Sequence, residues 1–214
     1  MLVAAAYYSR LRFISNLLPL IRTAPSLRRV VTVAGGGNEG PIDPTDFPAL
    51  HVPLRKIRGH ICSLITLSLE SMVKIAPEVS FIHDYPGTVV TPLFDHAPRI
   101  VRVLTKMYVC LLGRWICIPI EECGERHVFL ATNEQFPPAT GIKDVLRLRD
   151  ASDVALGTTG EIGSGVYSVG WNCESAPSSV VELLDSFRKE GMVEQVWEHT
   201  AAEFRRITGP EGED

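Results

Sequence analysis

Helix-like and strand-like patterns alternate along this chain. From Leu2 to Ile21 the apolar positions Leu11, Phe13, Ile14, Leu17, Leu18 and Ile21 leave little polar face, the pattern of a helix laid against a sheet. Arg28 to Gly37 contains the run Val30-Val31-Thr32-Val33 stopped by glycines, which predicts a buried strand. Pro41 to Pro53 has the prolines and aspartates of a loop. From Leu54 to about Ile75 the period is helical again, with Ile57, Ile61, Leu64, Ile65, Leu69 and Met72 as a core stripe. Val79 to His83 predicts a second short strand, ended by Tyr85-Pro86-Gly87.

Helix, strand, helix, strand in that order predicts parallel strands joined by crossover helices, an α/β fold. Further on, Glu121 to Arg126 reads as a helix start, 134–164 mostly as loop, and Gly165 to Val169 as a third strand. Ser179-x-x-Glu182 has the form of a capping box, and Met192 to Ile207 repeats the helical spacing. Ile100 to Ile120 is the longest apolar stretch. Its Arg102, Lys106 and Arg114 make a membrane-spanning helix costly, so the segment is expected to be buried or interfacial, with peripheral membrane contact as the lesser expectation.

The length of 214 residues fits one domain, expected over 1–208, before an acidic tail, 209–214, expected to be disordered. A net charge of -4 argues against a nucleic-acid partner. The five cysteines are scattered without a CxxC pair, which suggests reduced thiols and a cytoplasmic location. Met1 to Tyr8 lacks the basic start of a secretory signal. No metal-ligand spacing stands out.

The words and their order resemble the second half of a short-chain dehydrogenase/reductase. Leu17-Leu18-Pro19-Leu20 closes a helix, Arg29-Val30-Val31 opens a strand, and the next strand runs into Tyr85-Pro86-Gly87-Thr88-Val89-Val90-Thr91. The PGxVxT word is the most informative piece. Glu39-Gly40-Pro41, Arg58-Gly59-His60 and Gly163-Ser164-Gly165-Val166-Tyr167-Ser168 look like a divergent fungal branch of that family. The resemblance implies a Rossmann-like parallel sheet with flanking helices that lacks its first β-α-β half. It implies an NAD(P) cofactor held by Pro86, Gly87, Val89 and Thr91, and oxidoreduction of an alcohol or ketone of a fungal secondary metabolite (terpenoid, meroterpenoid or polyketide).

Two parts of that family's machinery are missing. No GxGxxG turn opens a helix: Gly35-Gly36-Gly37 leads into a Pro-rich loop. The family's Tyr/Lys pair would fall near Arg55 and Gly59, and its Ser on Ala34 or Gly35. An arginine cannot donate a proton at neutral pH. His60, an imidazole on the right helix, and Tyr85, at the end of the second strand, are the candidates to replace them. Tyr7, Tyr8 and Arg10 lie on the helix that faces the cofactor in that family, and Cys123 beside Arg126 and His127 is a lesser thiol candidate. Two functions therefore stand side by side. One is the oxidoreductase. The other is a cofactor-free isomerase or dehydratase, or a non-catalytic partner subunit. An open sheet edge would favour a homodimer or a second subunit as its cover.

Overall fold

A computed structural model of the chain describes residues 3–91, 98–140 and 153–209. The expected α/β architecture is present. A π-helical turn (Ala4–Tyr8) runs into α1 (Ser9–Arg22), then come β1 (Arg29–Val33), α2 (Leu54–Ile75), β2 (Ser80–Asp84) and β3 (Thr88–Val89). α3 (Arg99–Ile116), β4 (Cys117–Ile118), α4 (Ile120–Thr132), β5 (Val166–Val169), α5 (Ser178–Lys189) and α6 (Met192–Thr208) complete the order.

The main sheet has three strands in the order β1-β2-β5, all parallel, with Val33 opposite Asp84 and Asp84 opposite Val169 at its C-terminal edge. β3 and β4 make a separate two-residue parallel pair. Side chains alternate across the sheet as strand pleating requires. Phe81 and Val166 join Tyr7, Leu11, Leu64 and Val196 in one core. Ile82, Tyr167 and Val169 join Leu130 and Phe136 in the other. Helices thus cover both faces, and every side chain of β2 and β5 is buried. This explains their unbroken apolar character. Arg29 reaches from β1 to the end of α4, donating to the carbonyls of Leu130, Asn133 and Phe136 at 2.7–2.8 Å. Those carbonyls lack intrahelical partners, so a guanidinium is a fitting stop.

Two local expectations change. Ser179-x-x-Glu182 makes no capping box: Pro177 occupies the N-cap, its carbonyl accepts from the N–H of Val180, and Ser179 lies inside the first turn without capping it. Prolines also stand at the N-caps of α2, α3 and α4, namely Pro53, Pro98 and Pro119. The fixed φ of proline and its missing N–H suit the entry to a helix. The 100–120 segment is not buried. It divides into α3, β4 and the start of α4, and of the α3 residues whose burial is described only Val109, half-buried, and Gly113, buried, are covered. No helix among the described residues is long and apolar enough to cross a membrane. The tail from Pro210 onward lies outside the described residues.

Candidate functional site

Parallel strands open a crevice beyond their carboxyl ends, where the chain turns away in different directions. Here β1 leads into Gly35-Gly36-Gly37, β2 into Tyr85-Pro86-Gly87 and β5 into Gly170-Trp171. The turns are laced together: Ala34 N–H donates to Asp84 O at 2.7 Å, and Tyr85 N–H donates to Val169 O at 3.1 Å. One hollow of about 460 Å³ lies between Gly36–Asn38 and 170–177. A second, of about 470 Å³, lies between Gly87, Ile118 and Arg126. Tyr85 and Trp171 border both. The Arg58 guanidinium stands 4.6 Å from the centre of the Tyr85 ring, and that of Arg126 4.9 Å from Trp171. The Tyr85 hydroxyl makes no hydrogen bond among the described residues. A third cavity, of about 620 Å³, separates residues 88–91 from α3.

Beneath this crevice lies a buried polar chain. Gly35 N–H donates to His83 Nε2 at 3.1 Å, so that nitrogen must be the bare acceptor. The other, Nδ1–H, then donates to Thr66 Oγ1 at 2.8 Å. Thr66 passes its own proton to Glu39 Oε1 at 2.7 Å. From the other side, Gly37 N–H donates to Ser168 Oγ at 2.7 Å, and Ser168 O–H donates to Glu39 Oε1 at 2.6 Å. Both branches run downhill to one carboxylate. Burial pushes the Glu39 carboxyl up, but its contacts with His83, Ser168 and Thr66 outweigh that and hold it below the usual carboxylate range. The chain anchors the glycine turn. It also consumes the amides of Gly35 and Gly37, the groups a phosphate would need.

On the opposite face of the sheet, His127 Nδ1–H donates to Cys123 O at 2.7 Å. Its Nε2 lies 3.0 Å from Asp84 Oδ2, at an angle poor for a hydrogen bond. Burial raises the Asp84 carboxyl above its ordinary value and outweighs the pull of His127. The Cys123 thiol is also pushed up, by burial and by Asp84, the reverse of what an activated nucleophile needs. Among the described residues no cluster of His, Cys, Asp or Glu could hold a metal ion.

The candidates named from sequence fall in two places. Tyr85 and Gly87 line the crevice and Val89 and Thr91 the cavity beside it, with Pro86 in the turn between Tyr85 and Gly87. Gly87 has φ +78°, and a Cβ there would overlap Ile118 Cδ1 and stand 3.0 Å from Trp171 Cβ. His60 lies elsewhere and is fully buried. Its Nδ1 accepts from Asp43 N–H at 3.2 Å and its Nε2–H donates to Phe47 O at 3.1 Å. Neither nitrogen is left for a substrate proton, and the ring instead pins the 43–47 loop to α2. The neighbouring words Glu39-Gly40-Pro41 and Arg58-Gly59-His60 touch through their glycines, with Gly40 N–H donating to Gly59 O at 3.1 Å. Tyr7 is buried and removed from any ligand: its hydroxyl lies 2.7 Å from Ser68 and 2.6 Å from Thr200, and burial raises it to about 12. Sequence reasoning missed Glu39, Thr66 and Ser168 as a unit, and missed Arg58 and Trp171 at the crevice. A carboxylate in a Pro- and Gly-rich loop carries the signal of solvent exposure, and only the Gly40–Gly59 approach turns it inward.

No family profile matches the chain, and no solved structure matches it. Curated proteins do. It is 37% identical over 93% of its length to Oxidoreductase AN1596 of Emericella nidulans, and covers 60% of that protein. It is 32% identical over 95% of its length to Oxidoreductase andH of Emericella variicolor, again covering 60%. To Short-chain dehydrogenase/reductase SAT2 of Stachybotrys chartarum it is 31% identical over 93% of its length, covering 56%. The chain is therefore similar, along nearly all of its own length, to a little over half of fungal proteins named as oxidoreductases.

Proposed function

We propose that the chain carries the substrate-facing part of an NAD(P)-linked, short-chain dehydrogenase/reductase-type oxidoreductase acting on an alcohol or ketone of a fungal secondary metabolite. The observation that carries this reading is the Tyr85-Pro86-Gly87 turn at the carboxyl end of β2, where a phenol, a cation and an indole line one crevice. The names of the similar fungal proteins support it.

The described residues fit a dinucleotide at one end only. Pro86, Gly87, Val89 and Thr91 would hold the nicotinamide end, where Thr91 offers a hydroxyl to an amide. The pyrophosphate end has no cradle among the described residues. The glycine amides after β1 are spent on His83 and Ser168, and α2 does not begin until Leu54. A bound nicotinamide would give or take a hydride. The chain's own part is to exclude water with Trp171 and to give or take the alcohol proton at the Tyr85 hydroxyl, whose ring lies against the Arg58 guanidinium.

Calorimetric titration of the protein with NADPH and then NADH tests this reading. Micromolar binding is expected, and Tyr85→Phe should lower turnover by about 100-fold while leaving cofactor affinity unchanged. The spent glycine amides favour the second reading, a cofactor-free isomerase or dehydratase or a non-catalytic partner subunit. Absence of binding heat at millimolar cofactor, with no rise in melting temperature, would decide for it.

A further inference from the structure

α4 is held to the sheet unevenly. Its C-terminal end carries the buried Leu130 and the carbonyls that Arg29 collects. None of the residues from Ile120 to Phe129 is fully buried, so apolar packing does little for the rest of the helix. Two polar contacts take its place. Arg126 donates to Trp171 O at 2.7 Å, and His127 Nε2 stands 3.0 Å from Asp84 Oδ2 at the end of β2. The His127 ring thus lies between two acceptors. Its Nδ1–H is committed to Cys123 O at 2.7 Å, so Nε2 either carries a second proton or turns a bare lone pair toward the Asp84 oxygen. The contact is attractive in two forms only: an imidazolium beside a carboxylate, or a neutral ring beside a protonated acid. Both hold the same one proton. Once it leaves, a lone pair faces a carboxylate that is almost entirely out of water.

We infer that Asp84 and His127 share one proton and form a pH-sensitive latch, which docks α4 on β2 while the proton is held and frees the N-terminal half of α4 when it is lost. Glu122 and Arg126, on that half, line the hollow beside Gly87 and Ile118, so the latch sets the position of one of its walls. Because the proton stabilises the docked helix, docking is complete at lower pH and is lost as pH rises through the titration of the pair. Burial raises the Asp84 carboxyl, which favours keeping the proton. The His127 side chain is 29% exposed, which gives the proton a path to solvent. The other titratable groups around the pair are Cys123 and Arg126 on α4, Cys173 beyond β5, and His83 on β2. Both thiols are pushed up, by burial and by Asp84, so they stay neutral while the pair titrates. Arg126 stays charged throughout, and the His83 ring is spent on Gly35 and Thr66 on the other side of the sheet. The inference uses neither a dinucleotide nor the Tyr85 proton, and so stands apart from the proposed oxidoreductase.

Nitrogen NMR of the histidine rings reads the proton, and amide hydrogen exchange, corrected for the intrinsic effect of pH, reads the helix. Both are measured on the full chain at pH 6 and pH 9, with the His127 signals assigned by their absence from His127→Phe. The Nε2 signal should move between the two while Nδ1 keeps its proton. Protection of the amides of residues 124–128 should fall at least about ten-fold at pH 9, with that of α6 unchanged. Asp84→Asn has the same shape, no proton to lose and an N–H to offer the bare Nε2, so it should keep α4 protected at both pH values. Its melting temperature at pH 6 should lie within a few degrees of the parent's and report that it folds. His127→Phe removes both ring nitrogens and should leave α4 equally loose at both pH values. Equal α4 protection at pH 6 and pH 9 in the parent overturns the inference, since the proton then does not dock the helix. The same loss in Asp84→Asn or in His127→Phe overturns it too, because the pH dependence would have another source. So does a loss of matching size in α6, which would mean that the whole fold loosens in base.

Discussion

Gly87 shows how much a single position constrains the crevice. Its φ of +78° is one that side chains other than glycine rarely adopt, and the space a Cβ would take is filled by Ile118 Cδ1, with Trp171 Cβ 3.0 Å away. Gly87→Ala should cost about 1–2 kcal/mol from the backbone alone. In a chain of this size that lowers the melting temperature by about 3–6 °C in a thermal scan. A shift of under one degree would mean that the turn relaxes freely and that the crevice is not shaped by it. This position was legible in the sequence because a Pro-Gly pair after a strand is a turn by its own chemistry. Glu39 was not. Nothing in Asn38-Glu39-Gly40-Pro41 distinguishes a solvated carboxylate from one that receives two hydroxyl protons under the sheet. Nor did His60 reveal its role in the sequence, since an imidazole on a helix has the same signature whether it works on a substrate or bonds two backbone groups.

α2 carries the same lesson from letters to faces. Its apolar stripe was legible, but the residues from His60 to Met72 are buried without a gap, because the sheet covers one side and the π-helical turn and α6 the other. The polar residues between the apolar ones form no solvent face. Ser63 donates to Gly40 O, Thr66 belongs to the Glu39 chain, and Ser68 meets Tyr7. Thr200 gives its proton to Val196 O, so the Tyr7 hydroxyl donates to Thr200 and accepts from Ser68. One phenol thus ties the first turn of the chain to α2 and α6. Tyr7→Phe removes both bonds and strands the buried Ser68 hydroxyl, a loss of about 1–3 kcal/mol. The melting temperature should fall by about 3–9 °C, with the crevice intact and any activity unchanged at low temperature. An unchanged melting point would show that Ser68 and Thr200 find each other when the phenol oxygen is gone. For α3 the expectation of burial failed for a related reason: length and apolar content look the same in a covered helix and an uncovered one, and only the surrounding layers decide.

At the scale of the whole molecule, the sheet is small and its strands are held by side chains as well as by the ladder. The Glu39 chain joins β1's exit, β2, β5 and α2 through one ionised carboxylate. That makes global stability depend on pH in a defined direction. The Glu39 carboxyl is held below the usual range in the fold, whereas in the unfolded chain it titrates near the ordinary glutamate value of about 4.3. Its contribution is therefore fully present above that unfolded value, and is lost as pH falls through the lower folded one. Glu39→Gln keeps the shape of the side chain but cannot be an ion, so Thr66 and Ser168 lose their charge-assisted bonds. The variant should be less stable than the parent at pH 7 by about 1–3 kcal/mol. The gap should narrow as the pH is lowered below about 4, because the parent then binds the proton that the amide never needed. Urea unfolding of both proteins at pH 7, 5, 4 and 3 measures that gap directly. Other carboxylates, such as those of Asp43 and Asp46, also lie below their ordinary values. They destabilise parent and variant alike in acid and cancel in the difference. A gap of the same size at every pH would mean that the network is held by shape and not by charge, and that His83 and Ser168 keep the glycine turn in place without an anion beneath them.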